Sequence, residues 1–292
     1  MLNVASDHLG EYGVNTVPDL AAAKFAVRRS LGAGGVMVLN ADDPVVVAEA
    51  LRQDCPAQWF SLTPDAPQLQ RGNRAAWLDG TRMILSEDGR QTVLADATAL
   101  PITMGGAARH NIANALAATL LTRALGVGLP AITAGLLAFR NDRDNNPGRG
   151  NLFAYRGAQV MVDFAHNPHS IAAVTAALAG FPSKRRFLMM SHAGDRSDDD
   201  IRGLARGAMA MRPDVIALAE LPGYLRGRQT GDIPALFEAE CVACGFDRNQ
   251  ILRALSPLEG ARQILARLQP GDLALLLTHG DRDAIFALLQ TG

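Results

Sequence analysis

Lysine is almost missing from this chain: among 28 basic residues, Lys24 and Lys184 are the only lysines. GC-rich coding favours arginine and explains the bias without a functional message, but it leaves Lys24 conspicuous. Cysteine is scarce too. Cys55, Cys241 and Cys244 form an odd set with no signal peptide ahead of them, which argues against a disulfide scaffold. Cys241-Val242-Ala243-Cys244 has the spacing of a redox or zinc pair, yet no second pair completes a metal site. In a helix expected over 233–245 the two are packing residues. No sign of charge dominates: the formal net charge is −1 and the pI about 6.6, so the chain lacks the electrostatic footprint of a nucleic-acid or anionic-membrane binder. No apolar run approaches the ~20 residues that cross a bilayer. Met1-Leu2-Asn3-Val4-Ala5-Ser6-Asp7-His8 has neither the basic nor the apolar region of a secretory leader, and the expected location is the cytoplasm.

What is present is the composition of a packed globular protein, 48% hydrophobic and 20% charged, and 292 residues suit one large or two ordinary domains. Strand-like and helix-like segments alternate, the pattern of an α/β fold. A helix is expected over 18–31, with Pro18-Asp19 at its start and Gly32 beyond its end, then a buried strand over 35–40. Asp43-Pro44 opens a helix to about Gln53, and a short strand follows over 58–61. Across 75–93 the pattern shifts to short alternating pieces broken by Asp79-Gly80 and Asp88-Gly89, which predicts a hairpin or meander added to the sheet. Helices are expected over 111–125 and 130–139. The breaker-rich stretch Asn141-Asp142-Arg143-Asp144-Asn145-Asn146-Pro147-Gly148 reads as the domain boundary, placed between 146 and 147. Beyond it the rhythm restarts, with strands over 159–163, 186–190, 215–219 and 273–277 and helices over 170–178 and 199–211, as in a Rossmann-like open sheet. That fold alone fixes no chemistry.

Four motifs could carry chemistry. Asp163-Phe164-Ala165-His166-Asn167-Pro168 follows a buried strand and precedes a helix, where open α/β sheets bind ligands. A carboxylate there can hold a ribose hydroxyl or a cation; it can equally cap the helix. Pro147-Gly148-Arg149-Gly150 sets an arginine fork between two glycines that let backbone approach a ligand. Ala108-Arg109-His110-Asn111-Ile112-Ala113-Asn114 gathers polar groups at a helix start, suited to a nucleotide or to ordinary capping. Asp7-His8 with Lys24 on the next helix offers magnesium-shell or phosphate groups, or a solvated helix start.

Taken in order, Asp7-His8, Lys24, His110-Asn111-x-x-Asn114, Pro147-Gly148-Arg149, Asp163-Phe164-Ala165-His166-Asn167-Pro168 and Gly194-Asp195-Arg196 resemble the Mur ligase family across essentially the whole chain. Asn40-Ala41-Asp42-Asp43-Pro44, Gly194 through Arg202 and Leu225-Arg226-Gly227-Arg228 resemble its cyanophycin synthetase branch in particular. Each motif is weak alone; the ordered set is specific.

The resemblance implies an α/β protein: an incomplete central ATPase-type domain over 1–146, then a Rossmann-like C-terminal Mur ligase domain over 147–292. It implies ATP-dependent joining of an amino acid to a carboxylate acceptor through an acyl phosphate, with ATP and Mg2+ required. Arginine is the amino acid favoured, added to aspartate side-chain carboxylates as in cyanophycin synthetase. By that likeness His8 lies near a magnesium site, and Lys24 matches a lysine that becomes a metal ligand when carbamylated. His8, Lys24 and His166 are the catalytic candidates. Asn111, Asn114, Arg149, Asp163 and Asn167 match nucleotide-binding positions, and Glu220, Arg226 and Arg228 are candidates for the incoming amino acid. One departure matters. No Gly-x-x-Gly-Lys-[Ser/Thr] loop occurs anywhere in the chain, and Met1 falls almost on the Asp-His motif. The expectation is therefore a ligase whose phosphate loop is not in this chain, inactive in isolation. A non-catalytic binding or oligomerisation module, self-paired or joined to an N-terminal partner segment, stays open. So does another class, such as an oxidoreductase or nucleotide hydrolase, although no Gly-x-Gly-x-x-Gly follows a strand. A peptidoglycan-precursor ligase fragment is a further alternative, weakened because the Asp-Asn-Pro-Arg motif of the diamino-acid-selecting members is missing.

Overall fold

The computed structural model describes residues 1–6, 9–10 and 13–290, so Asp7 and His8 lie outside the described residues. It divides into two compact units, Met1–Phe139 and Arg140–Gly292.

In the first unit, α1 (Val17–Phe25) starts at Thr16, whose side chain and that of Asp19 form a reciprocal capping box. The helix expected over 18–31 is broken: after Phe25 it tightens to a 3-10 segment, Ala26–Ser30, and leaves it at Leu31 in extended backbone. Then come β1 (Met37–Asn40), α2 (Pro44–Arg52), β2 (Ala57–Ser61), β3 (Arg74–Asp79), β4 (Arg82–Glu87) and β5 (Arg90–Asp96). They make one sheet in the order β1-β2-β3-β4-β5, parallel through β3 and antiparallel from there. The meander is set by its turns. Asp88 and Gly89 both have positive φ, +48° and +81°, which matches the twist of a two-residue hairpin. α3 (Arg109–Ala124) lays Ile112, Leu116, Thr119 and Leu120 on the sheet, in a core shared with Phe60, Met83, Leu85 and Leu94. α4 (Leu129–Ala138) follows it. Glu87 binds both Arg74 (2.8 Å) and Arg123 (2.9 Å) and so ties β4 to β3 and to α3.

The second unit runs β6 (Asn151–Tyr155), β7 (Ala158–Asp163), α5 (Pro168–Leu178), β8 (Arg186–Met190), α6 (Asp198–Ala208), β9 (Val215–Ala219), α7 (Asp232–Ala243), β10 (Ile251–Ala254), α8 (Pro257–Leu265), β11 (Leu273–Leu277) and α9 (Arg282–Gln290). Its sheet has the order β10-β9-β8-β11-β7-β6, parallel except for β6. Strands covered on both faces need no alternation, which is why Leu273-Ala274-Leu275-Leu276-Leu277 is apolar throughout and fully buried. α8 and α9 pack Ile264, Ile285 and Phe286 against Phe187, Met189 and Leu276. The strands from β6 to β10 are added in one direction and β11 returns to fill the gap between β7 and β8, so the carboxyl ends of those three parallel strands lie side by side. Among the described residues no helix is long and apolar enough to cross a membrane.

Candidate nucleotide and substrate site

Asp163 ends β7 and is buried, only 9% exposed. Its Oδ1 accepts the Ala165 amide at 2.7 Å, and the Gly150 and Phe164 amides also face it. Burial raises its pKa above the ordinary carboxylate value even so, against those amides and the Arg149 charge beside it. A buried carboxylate with more acceptor capacity than its own loop uses is poised for donors from outside the fold.

The pairing of β6 with β7 brings Arg149 there. Asn151 lies opposite Val162, so the residues just before β6 fall beside the end of β7. Buried Asn151 fastens this loop, accepting the Gly148 amide at 2.6 Å and donating to the Asn146 carbonyl at 2.9 Å. Gly148 and Gly150 have φ of +74° and +68°, which L side chains rarely adopt. Between them the exposed Arg149 guanidinium sits over the Phe164 ring, 5.2 Å from its centroid.

Asn167 caps α5: its Oδ1 takes the Ser170 amide at 2.8 Å, and the Ser170 hydroxyl accepts the His166 and Asn167 amides, each at 3.1 Å. The half-buried His166 has Nδ1 3.0 Å from the Phe164 carbonyl. Its ring belongs to an edge-to-face cluster with Phe164, His279 and His192. Nε2 of His279 lies 3.0 Å from the Ala165 carbonyl and Nδ1 2.5 Å from the Ser191 carbonyl, joining the ends of β7, β8 and β11. Two carbonyls favour the charged ring, but burial outweighs them and, with the His192 and His166 charges, pushes its pKa down to about 4. The neutral ring then donates to one carbonyl only.

A cleft of about 370 Å3 opens here, lined by Phe164 and by Thr278 through Ala284. None of the residues of that wall from Thr278 to Ala284 belongs to the four sequence motifs. Its signal was a polar Thr278-His279-Gly280-Asp281-Arg282 stretch directly after the expected strand over 273–277. A second cleft, about 480 Å3, lies at the opposite ends of the strands against Gly157, Gln159, Ser183, Lys184 and Gly271.

The amino-acid candidates Glu220, Arg226 and Arg228 follow β9, against the loop after β8. Gly194 admits no side chain: a Cβ there would sit 2.0 Å from the Leu225 carbonyl oxygen. Arg228 locks the same junction, donating to the Gly194 carbonyl (3.0 Å) and the Arg196 carbonyl (2.7 Å) and pairing with Asp198 (2.8 Å). Arg226 is exposed, in left-handed backbone, over the Tyr224 ring. Glu220 is 6% exposed; one oxygen accepts the Gly231 amide at 2.5 Å and the other, also buried, has no hydrogen-bond partner among the described residues. Such an oxygen is expensive to bury and calls for a cationic or donor partner.

In the first unit, Asn111 donates to the Ile102 carbonyl at 2.8 Å and accepts from the exposed Asn114 at 3.2 Å. Burial lowers the pKa of His110 next to them. Lys24 is exposed on α1. Asn40, Asp42 and Asp43 serve the fold. Asp42 binds the Ser61 hydroxyl (2.5 Å) and the Leu62 amide (2.7 Å), while Asp43 caps α2 and accepts the Val4 amide at 2.8 Å. Cys241 is buried, its thiol pushed up to about 12, and Cys244 is exposed. No group of three or more His, Cys, Asp or Glu side chains among the described residues could hold a metal ion.

Comparison with known proteins decides the family. Residues 1–122 match the Mur ligase middle domain and residues 148–280 the Mur ligase, glutamate ligase domain. The chain belongs to the Mur ligase family. It is 35% identical over 240 residues to a cyanophycin synthetase of Trichormus variabilis, covering 81% of this chain and 26% of that protein. It is 30% identical over 287 residues to a UDP-N-acetylmuramate–L-alanine ligase of Xanthomonas oryzae, covering 96% and 57%. Thus the chain spans about a quarter to a little over half the length of these ligases. Among solved structures, E. coli FolC in complex with ADP shares the fold, with a TM-score of 0.67 at 15% identity over 100% of this chain and 62% of that one.

Proposed function

We propose that this chain provides part of the catalytic cleft of an ATP-dependent amide-forming ligase, with Asp163 and Arg149 directed at the nucleotide. The observation that carries the reading is Asp163 itself, a carboxylate buried at the end of β7 beside a free guanidinium. In this reading Asp163 accepts ribose hydroxyls, and Arg149 offers a fork to phosphate oxygens. Asn167 and His166 line the same edge, and Asn111 and Asn114 are the nucleotide-binding candidates of the first unit taken by itself. Bound magnesium would offset phosphate charge. The positions assigned to it are His8, outside the described residues, and a carbamylated Lys24, and the described residues add no ligand cluster of their own. The residues then bind and orient the two reactants and keep water from the activated acyl group, where positioning lowers the barrier.

The reaction class is acid–amino-acid ligation: ATP phosphorylates the acceptor carboxylate, and the amine displaces phosphate to form the amide. Arginine is the favoured amine and aspartate side chains the favoured acceptor. The likeness to cyanophycin synthetases supports this, and so does the unpartnered, buried oxygen of Glu220, which suits a guanidinium. Arg226 and Arg228 border that loop. The test is phosphate release from ATP by this chain joined to a phosphate-loop-bearing segment, with arginine and an aspartate-rich acceptor. Release should depend on arginine and fall in Arg149→Ala and Glu220→Gln. Release with alanine but not arginine would instead favour the muramyl-peptide branch.

A further inference from the structure

The cleft after β11 contains a cation that neither the motif reading nor the nucleotide assignment uses. Arg282 opens α9 and its side chain lies against Gly148 of the 147–150 loop, so that a Cβ at Gly148 would lie 3.2 Å from its Cδ. The next residue along that loop is Arg149. Both arginines are exposed, and both stand at Phe164: Arg149 over its ring, Arg282 with it on the cleft wall. Arg149 makes no hydrogen bond among the described residues, and Arg282 uses only Nε, toward the largely exposed Asp283 at 3.2 Å. The terminal nitrogens of both guanidiniums are therefore open to a ligand. The cleft also holds carboxylates. Asp281 spends one oxygen on the Leu258 amide at 3.1 Å, and Asp283 faces Arg282. A bare cation would meet both arginines there, whereas an oxyanion meets two forks whose geometry matches it.

We propose that Arg282 and Arg149 form a two-arginine fork that grips one oxyanion at the mouth of this cleft. The ligand chemistry is a phosphate or a carboxylate. The first source is the nucleotide and the second an amino-acid substrate; the assignment rests on the nucleotide reading of Arg149. Gly148 is part of the device, because its missing side chain leaves room for the Arg282 stem beside Arg149.

Calorimetric titration of the full chain separates these points, with ADP, arginine and aspartate as probes, using the unaltered protein and Arg149→Ala, Arg282→Ala and Arg282→Lys variants. Arg282 is surface-exposed, so its variants should keep the unaltered thermal midpoint without ligand. Loss of a charge-assisted fork should weaken the oxyanion probe about tenfold or more in Arg282→Ala, with Lys restoring only part. Weakening of ADP alone identifies phosphate, and weakening of an amino acid alone identifies carboxylate; either supports the fork. Loss of ADP binding in Arg149→Ala with every probe unchanged in Arg282→Ala overturns the fork and leaves the nucleotide reading standing. No binding of any probe to the unaltered chain overturns both.

Discussion

Both units spend polar motif residues on their own backbone, as Asn167 and Arg228 do in the second, but they differ in what is left over. In the first, Asn40, Asp42, Asp43 and Asn111 are consumed by backbone they cap or bridge. In the second, Asp163 is buried at a raised pKa, Glu220 keeps an unpartnered oxygen, and Arg149 and Arg282 hold open hydrogen-bonding groups beside a cleft. Capping residues stabilise the chain they sit in. Residues buried against their own preference need a partner the chain does not contain, which is the usual physical mark of a site.

Substitutions in the two units should separate these behaviours. The largest effects belong to the cores and should be alike: Phe187→Ala in the second unit and Phe60→Ala in the first, both fully buried, should each lose ~3–5 kcal/mol in denaturant unfolding. A much smaller loss in one would show a loosely packed unit. Next is Gly194→Ala, where the clash with the Leu225 carbonyl should cost about 1–3 kcal/mol. That variant should also loosen the Arg228 junction, seen as faster amide exchange over 194–198 and 225–228. An effect below ~0.5 kcal/mol would mean the two loops part easily. Asp43→Ala, a lost cap in the first unit, should cost about 1 kcal/mol. Asp163→Asn should do the reverse. An acid whose folded pKa lies above its unfolded value loses stability as pH rises through that window. The ionised Asp163 therefore weakens the fold at neutral pH, and Asn should raise the thermal midpoint at pH 7, with no gain below the ordinary value of 3.8. A lower midpoint at pH 7 would make Asp163 a structural residue like Asp43. The effect of His279 shows only in acid. Its depressed pKa contributes stability that is full above 6.5 and lost as pH falls toward about 4, a decline that calorimetry should find shallower in His279→Gln.

Much of this was legible because local chemistry decided it. The Asp-Gly pairs set the meander, and the apolar run over 273–277 could only be a strand covered on both faces. Asp163-Phe164-Ala165-His166-Asn167-Pro168 marked a strand end and a cap together. What was not legible depends on distant pairing. β6 is five residues whose role comes from its register with β7, and that register brings the Arg149 loop beside Asp163. Arg282 is 133 positions from Arg149 in sequence, and nothing local links it to Gly148. Arg228 read as a ligand group, but no spacing could show that the Gly194 and Arg196 carbonyls already occupy it.

Whether a nucleotide sits at the carboxyl ends of β7 and β11, as proposed, is decided by amide hydrogen exchange of the full chain with and without ADP. ADP-dependent protection is expected over 148–151, 163–167 and 278–284, lost in Arg149→Ala, with none at the opposite cleft around Gly157, Lys184 and Gly271. Protection at that opposite cleft alone, or the same protection with Arg149 removed, would contradict it.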